Sequence, residues 1–518
     1  MRKAVCAILC ILLCFSFCCC KSENGKANED AVNQGDTSLK NEEINLLYFA
    51  GDSFNPYSAS TKHNRELSHL LYDPLIKCDN SFNPTYCLAQ NALLDGKVCT
   101  VTLKSAYFTD GTPVTADDVV YSYNTAKKSE TIYGSYFYEV ASVSGNGNTV
   151  IFNLNCFDPY FLNLLDFPVI KAGSDGQKNS DGVEIAPIGC GRYYVGEDSS
   201  ILLRNGNYHG KIGEVGKINL INAPDDISAT HYVEVGATEM YYADESVANI
   251  ARMSGKRADV NTNNFVYIGI NGAYGPLTSN LLRYAISAAI DRTEICHSAY
   301  FDNATPASGF FNPSISETSA VQSLKTVADT QITVENLNQI GYNNLDNGYY
   351  CNDSGKHIGL TLLVNSDNYS RVTAAKLIAK QCKTAGIEIN VIERPYAEYA
   401  SLLSSGNFQL YLGEIRVLPN FDLSGLVVAG GSAAYGLAPA SVDVSTGQTL
   451  NAVCADMINK YKNGECLLSD LAGSFITEMP QIPVCYRNGM LFYTSRIESK
   501  VKPSASDIFF SFENYNIK

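Results

Sequence analysis

Two short segments of the chain alternate between apolar and polar positions. They are CTVTL (99–103) and VIFNLNC (150–156), and every second residue in each is apolar. A period of two is typical of strands that bury one face. The region between about Ile76 and Pro187 is therefore predicted to contain the strands of a small α+β unit.

A helix is predicted between these segments, in FTDGTPVTADDVVYSYNTA (108–126). Thr115 and Asp118 fit a capping box, because a hydroxyl accepts from an orphan backbone N–H and a carboxylate suits the positive end of the helix dipole. Pro113 discourages an earlier start. Asp117 and Asp118 are neighbours and point to different sides of a helix, so they are interpreted as cap residues and not as a catalytic pair.

Residues 357–416 show strands that alternate with helices. The strand segments are HIGLTLLVN (357–365), IEINVIERP (387–395) and NFQLYLGEIR (407–416). The segments between them predict helices that end at Gly386 and Gly406. This order predicts parallel strands joined by right-handed crossovers.

Ligands of open α/β sheets bind outside the carboxyl ends of the parallel strands. We therefore expect a cleft against the three strand ends of this region, which are residues 365–367, 394–396 and 414–416. Earlier in the chain, FVYIGIN (265–271) predicts a strand, and the segment from Ser279 to Ile295 predicts one continuous helix.

The N-terminus has the pattern of an export signal. Two basic residues precede an apolar run from Ala4 to about Cys20, which is short for a membrane span and matches a secretory signal. A cysteine at the polar boundary resembles the acylation site of bacterial lipoproteins, with Cys20 favoured and Cys18 and Cys19 as alternatives. Residues 21–43 have the composition of a flexible tether, and a buried strand is predicted from Ile44.

Composition restricts the partners. The chain has 518 residues, which predicts more than one lobe. Its formal charge of −15 argues against nucleic acid. It has 33 tyrosines and no tryptophan, so tyrosine must supply most large amphipathic contacts.

Six of the 17 cysteines lie in the leader, and the eleven others are scattered without a CxxC pair. This spacing predicts no zinc site. Cys78 and Cys87 are a candidate bridge across a hairpin, but free, buried thiols are expected for most of the eleven. His63, Glu66 and His69 are too far apart on a helix to bring the two imidazoles together around a metal. We expect no metal and no cofactor.

Several motifs carry a family resemblance. In chain order they are YFTDGTPVTADDVVYSYN (107–124), PIGCGRYYV (187–195), LRNGNYH (203–209), VYIGIN (266–271), LLRYAISAAIDRTEI (281–295), ATPASGFF (304–311) and IPVCYRNGMLF (482–492). The chain resembles the family 5 extracellular solute-binding proteins of ABC importers, the group of the oligopeptide- and dipeptide-binding proteins. The ordered set runs from about residue 44 to the terminus.

The resemblance implies an α/β, bilobal periplasmic-binding-protein-like fold of the class II, cluster C type, with an extra small α+β lobe. The implied segments are the signal 1–20, the tether 21–43, lobe I at 44–75, 187–263 and 488–518, the small lobe at 76–186 and lobe II at 264–487. The lobes of such proteins close on a ligand, and the closed form is presented to a permease.

The implied function is that of a binding protein and not of an enzyme. It captures peptides or a related small solute and delivers them to the transmembrane subunits of an ABC permease, as a monomer lipid-anchored at the extracytoplasmic face of the cell membrane. A sensory or adhesive receptor without transport is an alternative. An extracellular hydrolase is a further alternative, although no GxSxG, HExxH or Cys-His motif is present.

Three charged residues are candidates for ligand binding after the strand 407–416. Peptide-binding relatives place an aspartate near here to hold the ligand's amino terminus, but this chain has Pro419 at that position, with Glu414 upstream and Asp422 downstream. Either acid anchors an ammonium in another geometry, or neither does. Arg416 either pairs with Glu414 or Asp422, or meets a ligand carboxylate as a planar fork.

The other candidates are an amide and three tyrosines. Asn271 ends a predicted strand, where its amide bonds across a hinge or to ligand. Tyr57, Tyr136 and Tyr486 fall where relatives line the cleft, and Tyr136 stands in a cluster with Tyr133 and Tyr138. Ordinary packing is the alternative for each tyrosine.

Overall fold

The computed structural model describes residues 41–244, 255–428, 430–436 and 452–518. The signal segment with Cys20 and most of the predicted tether lie outside these residues. None of the described helices is long and apolar enough to cross a membrane. The residues from Lys40 to Lys518 form one compact unit.

The strands of the described residues are short except for two, the twelfth with 15 residues and the last with 12. In chain order they are β1 (Glu42–Tyr48), β2 (Ile76–Cys78), β3 (Pro84–Tyr86), β4 (Ala89–Asp95), β5 (Val98–Leu103), β6 (Val140–Asn146), β7 (Thr149–Leu154), β8 (Tyr193–Val195), β9 (Ile201–Arg204), β10 (Val215–Asn222), β11 (Met240–Ala243), β12 (Lys256–Ile270), β13 (Ala304–Pro306), β14 (Asn344–Asp346), β15 (Tyr349–Cys351), β16 (Gly359–Asn365), β17 (Glu388–Arg394), β18 (Leu410–Arg416) and β19 (Ile482–Tyr493).

The α-helices of the same residues are shorter than five turns. In chain order they are α1 (Lys62–Leu71), α2 (Ala116–Lys128), α3 (Asp226–Glu234), α4 (Asn280–Ala289), α5 (Arg292–Tyr300), α6 (Thr330–Gln339), α7 (Tyr369–Thr384), α8 (Tyr396–Ser404), α9 (Ser424–Val427), α10 (Ala452–Lys462) and α11 (Leu468–Glu478).

The described strands form five sheets, of which two have only two strands each, β2-β3 and β14-β15. The other three organise the fold. One has the order β1-β10-β9-β8, with β1 parallel to β10. The second is small and antiparallel, with the order β4-β5-β7-β6. The third has seven strands in the order β11-β19-β12-β18-β16-β17, with β13 paired to β19. The first sheet joins the N-terminal strand to segments that follow the small sheet in sequence, so the small sheet is an insertion.

The parallel βαβ region is confirmed. Strand β16 pairs in parallel with both β17 and β18. Gly386 and Gly406 follow the two crossover helices with φ of 83° and 70°, a left-handed conformation that glycine adopts without strain. Because the three strands are parallel, their carboxyl ends lie at one edge of the sheet.

The cap of α2 is also confirmed. The Thr115 hydroxyl accepts from the backbone N–H of Asp118, and the Asp118 carboxylate accepts from the backbone N–H of Thr115 at 2.9 Å. The second carboxylate oxygen accepts from the backbone N–H of Ala172 at 3.0 Å. Both carboxylate oxygens of Asp118 therefore accept backbone hydrogen bonds at the start of the helix.

The prediction of one helix from Ser279 to Ile295 is wrong. The structure has α4 and α5, separated at Ile290 and Asp291, where the Asp291 carboxylate accepts from the backbone N–H of Glu294 at 2.8 Å. The buried Arg292 guanidinium donates to the carbonyls of Ser287 and Pro483. These tertiary hydrogen bonds fix a break that the helical periodicity does not reveal.

The eleven cysteines of the described residues are free, and eight of them are buried. This confirms the expectation of free, buried thiols. Cys78 does not bridge to Cys87, because the β2–β3 hairpin pairs Cys78 with Pro84 and leaves Cys87 beyond its paired residues.

Two large hydrophobic cores divide the described chain. One is built almost entirely from residues between Phe265 and Tyr486, and the other from residues before Val260 and after Leu491. Strands β12 and β19 run through both cores. Their pairing is interrupted between Val260 and Asn264, where Asn263 has a φ of 59°. The predicted lobe boundaries near 264 and 488 fall at this interruption, although the full set of boundaries stays a prediction.

Candidate ligand-binding site

Glu414 lies near the carboxyl end of β18 and is held by two arginines. Its carboxylate accepts from Arg487 at 2.8 and 3.0 Å and from Arg371 at 2.9 Å. Burial raises the pKa of Glu414, but the two guanidiniums outweigh burial and hold the pKa below its ordinary value. Arg487 also pairs with Asp244 at 3.1 Å. Glu414 is thus the counter-ion of a network inside the seven-stranded sheet.

Arg416, two residues later, is exposed. It pairs neither with Glu414, which is bound by Arg371 and Arg487, nor with Asp422 in the described residues. Burial raises the pKa of Asp166 to about 7, and the positive charge of Arg416 opposes that shift. Arg416 therefore faces the core that contains Asp166, across the boundary between the two cores.

Asp422 joins the two cores. One carboxylate oxygen accepts from the Tyr138 hydroxyl and lies 3.1 Å from the Lys462 ammonium. Lys462 also lies 3.1 Å from the Glu139 carboxylate. The other oxygen of Asp422 accepts from the backbone N–H of Ser424 at 2.9 Å. Tyr138 and Glu139 precede β6 of the small sheet, whereas Asp422 and Lys462 belong with the seven-stranded sheet.

A small cavity of about 20 Å³, which has room for about one water-sized group, lies beside this contact. Its walls combine apolar and polar side chains from both cores. The lining residues are Tyr138, Glu139, Cys156, Phe157, Asp158, Asn420, Phe421, Asp422, Leu423, Ile458, Tyr461, Lys462 and Leu471. A larger groove, of about 500 Å³, lies beside β8 but is lined by one core alone.

Two polar atoms that line the smaller cavity have no hydrogen-bond partner in the described chain. Asn420 donates to Asp158 at 2.7 Å, but its carbonyl oxygen has no hydrogen-bond partner in the described chain, and the same holds for the Tyr461 hydroxyl. Burial raises the pKa of Asp158 to about 6, and the hydrogen bond from Asn420 opposes the shift. Because buried polar atoms are normally satisfied, these groups mark the boundary between the cores as a polar place.

The three predicted tyrosines are buried, and the hydroxyls of two of them already donate to backbone carbonyls. The Tyr57 hydroxyl donates to the carbonyl of Pro168, and its ring packs edge-on against Tyr133, which packs in turn against Tyr136. Burial raises the pKa of Tyr136, and nearby Asp166 adds to that shift. Tyr486 lies within the other core, where its hydroxyl donates to the carbonyl of Phe310 at 2.6 Å.

Asn271 lies away from the other candidates. It follows β12, whose last residue pairs with Leu410 at the amino end of β18. Its amide donates to the carbonyls of Gly406 and Phe408 and accepts from the backbone N–H of Ala273. Strand length places it about 20 Å from the edge where Glu414 and Arg416 lie. Asn271 therefore secures a loop instead of facing the boundary.

The structure brings together residues that sequence reasoning did not connect. The sequence patterns indicate Tyr138 only as part of an aromatic cluster. They give no sign of the four other residues, which are Lys462, Glu139, Asp158 and Asn420. Tyr138 lies 284 residues from Asp422. The sequence feature that points to this region is Pro419, which stands where peptide-binding relatives have an aspartate. The Pro419 carbonyl accepts from Asn163 at 3.0 Å across the same boundary.

Two cores, two strands that run through both, and a polar cavity at the boundary define a two-lobed binding protein. A family model described as bacterial extracellular solute-binding proteins, family 5 Middle matches residues 85–427. The chain belongs to this family of extracellular solute-binding proteins.

Individual relatives agree with this assignment. The chain is 23% identical over 404 residues to the oligopeptide-binding protein AppA of Bacillus subtilis (strain 168), covering 72% of this chain and 70% of that protein. NikA from Brucella suis, solved in complex with Fe(III)-EDTA, has a TM-score of 0.69 at 16% identity, covering 92% and 100% of the two chains. A putative peptide binding protein AppA from Clostridium difficile has a TM-score of 0.67 at 18% identity, with the same coverage. These similarities show the bilobal α/β fold.

Proposed function

We propose that the chain is the substrate-binding component of an ABC importer and captures peptides or a related small solute between its lobes. The observation that carries this proposal is the charged contact at Asp422, where Lys462 lies between Asp422 of one core and Glu139 beside the other. A ligand that bonds to both sides would stabilise their contact, as binding-linked closure requires. Delivery to the transmembrane subunits of a permease completes the proposed role.

The charges at the boundary suggest how such a ligand is held. Asp422 already holds an ammonium, that of Lys462, with the help of Tyr138. A peptide amino terminus would share this carboxylate with Lys462. Arg416 is exposed beside the same boundary and offers a planar fork for a ligand carboxylate.

Native mass spectrometry tests the ligand class. The chain lacking residues 1–20 is purified gently, and the bound molecules are identified after denaturation. We expect a heterogeneous set of short peptides. A single sugar or metal chelate would overturn the peptide assignment and leave the fold assignment intact. Hydrolysis of a peptide on incubation would instead favour an enzyme.

Calorimetry with the recovered ligand then tests the site. We expect Arg416→Gln to weaken binding about tenfold, because a charge-assisted hydrogen bond contributes roughly 1.5 to 3 kcal/mol. Lys217→Gln is the matched control, since Lys217 is a surface cation of β10, outside the predicted strand edge, and pairs with Glu43 at 2.9 Å. Equal affinities of the two variants would contradict the role of Arg416.

Transport and membrane attachment need tests in cells. We propose lipid attachment at Cys20, with a monomer held at the extracytoplasmic face. Metabolic labelling with a fatty acid analogue should mark the wild type and not Cys20→Ser; retained label would point to Cys18 or Cys19. Uptake of labelled ligand should stop when the chain is deleted, whereas binding without uptake would indicate a sensory or adhesive receptor.

A further inference from the structure

A partly buried cluster of three metal-ligating side chains lies beside the core that is built from residues before Val260 and after Leu491. Asp73 follows α1, Cys87 lies between β3 and β4, and His209 follows β9. One ligand atom from each of the three lies within 4.8 Å of the others. The three residues are widely separated in sequence, so the spacing of cysteines and histidines gave no sign of them.

The geometry points to a zinc-type metal site formed by Asp73, Cys87 and His209. Carboxylate, thiolate and imidazole are all ligands that Zn²⁺ accepts, at about 2.0 to 2.3 Å. Ligand atoms on such a tetrahedron lie roughly 3.5 Å apart, so small side-chain shifts bring the three atoms onto one ion. Three protein ligands leave the fourth position for water.

The residues around the cluster place its ligand atoms close together. Nε2 of His209 lies 2.8 Å from Oδ2 of Asp73, whereas Oδ1 of Asp73 lies 3.2 Å from the Lys77 ammonium. Lys77 is neutralised in turn by Asp507 at 2.9 Å. The Lys77 ammonium therefore lies at ion-pair distance from the carboxylate oxygen that does not contact His209, and no hydrogen bond holds that oxygen in the described residues. The Tyr208 ring packs against the His209 imidazole at 4.7 Å and orients it.

Local charge favours a divalent cation over the present hydrogen bonds. The ion pairs around Asp73 contain three acids (Asp73, Asp507 and Glu513) and two bases (Lys77 and Arg192). One negative charge is therefore in excess. Binding of Zn²⁺ forms a Zn–S bond, breaks the S–H bond of Cys87 and releases that proton to solvent. The thiolate adds one negative charge and the ion adds two positive charges, so the cluster becomes neutral.

Cobalt substitution provides the test. The chain lacking residues 1–20, which removes the leader cysteines and leaves the compact unit from Lys40 to Lys518 whole, is titrated with Co²⁺ and then with Zn²⁺. We expect one Co²⁺ per chain, a thiolate-to-cobalt charge-transfer band in the near ultraviolet, and loss of the band as Zn²⁺ displaces Co²⁺. Zn²⁺ should also raise the melting temperature.

Two variants and two controls locate the site. Cys87→Ser should abolish the band, and His209→Gln should weaken Co²⁺ binding at least tenfold. Cys99→Ser and His297→Gln should leave both unchanged, because Cys99 is a buried thiol of the small sheet and His297 pairs with Asp302 at the surface. A wild type without a charge-transfer band, or a band that persists in Cys87→Ser, would overturn the inference. Should Cys87→Ser fail to fold, the wild-type spectrum and His209→Gln still decide the matter.

Discussion

Glu414 and Asp422 lie only eight residues apart in sequence, yet their ion pairs differ in what they connect. The partners of Glu414 are Arg371 on α7 and Arg487 on β19, and all three side chains belong to the seven-stranded sheet and its helices. Asp422 shares Lys462 with Glu139 and accepts from Tyr138, so its contacts cross from one core to the other.

This difference separates a structural role from a ligand-dependent one. A network inside one core persists whether the lobes are open or closed, and its loss is felt as lost stability. A network between cores exists only while the cores are in contact, so any ligand that strengthens that contact also strengthens the network. Glu414, which the sequence offered as a ligand anchor, falls in the first class, and Asp422 falls in the second.

The largest expected effect is that of Glu414→Gln. The substitution leaves two partly buried guanidiniums without their counter-ion, so we expect the free energy of unfolding to fall by about 3 kcal/mol. Urea denaturation measures it. The variant should bind the recovered ligand normally once folded, whereas a loss of affinity at unchanged stability would return Glu414 to the ligand site.

A matched exposed pair serves as the control for that variant. Glu398 pairs with Arg394 at 2.7 Å, and about half of the Glu398 side chain is exposed. Exposed ion pairs contribute little, so Glu398→Gln should change the free energy of unfolding by less than about 0.5 kcal/mol. A similar loss in both variants would mean that burial does not distinguish the two networks.

A smaller effect is expected from pH at the boundary. Burial raises the pKa of Asp158 to about 6 from its ordinary 3.8. The folded protein therefore binds a proton more tightly than the unfolded chain, so this contribution to stability is complete below pH 3.8 and is lost as pH rises through 6. Asp158→Asn should remove this part of the pH dependence, roughly 2 kcal/mol between pH 4 and 7, because each pKa unit corresponds to about 1.4 kcal/mol.

Urea denaturation between pH 4 and 7 measures the effect as the difference between wild type and variant. The comparison matters because the Glu66 and Asp166 carboxyls, whose pKa burial raises to about 7, titrate in both proteins and cancel. A difference that stays constant over this range would show that Asp158 does not titrate as its burial implies.

The fold was largely predictable because its signals are local. Alternation in β5 and β7, the cap at Thr115 and the glycines after α7 and α8 each act within a few residues. The break between α4 and α5 was missed because it depends on Arg292, whose guanidinium reaches the carbonyl of Pro483, 191 residues away.

The position of the candidate residues in the fold was predictable, but their contacts were not. Parallel strand ends predicted that Glu414 and Arg416 lie at a functional edge. The role of Glu414 depends on Arg371 and Arg487, which lie 43 and 73 residues away. No pattern within a strand or helix reveals such partners, so an acid at the expected edge was interpreted as available when it is neutralised.

The smallest expected effect, and the most specific, is the coupling between Tyr138 and Asp422. A double-mutant cycle with Tyr138→Phe and Asp422→Asn isolates their interaction. Because Tyr138 is half exposed, we expect about 1 kcal/mol in the ligand-bound protein, below the range for buried charge-assisted bonds. Without ligand the lobes are free to separate, and the coupling should fall toward zero.

A second cycle distinguishes lobe contact from a general property of phenol–carboxylate pairs. The Tyr121 hydroxyl donates to Asp175 at 2.5 Å, on the same side of the boundary as Tyr138 and without crossing it. The coupling from Tyr121→Phe and Asp175→Asn should therefore be equal with and without ligand. If ligand changes both couplings by the same amount, the Asp422 contact is an ordinary surface hydrogen bond. If it changes only the Tyr138 pair, Asp422 reports the closure that capture between two lobes requires.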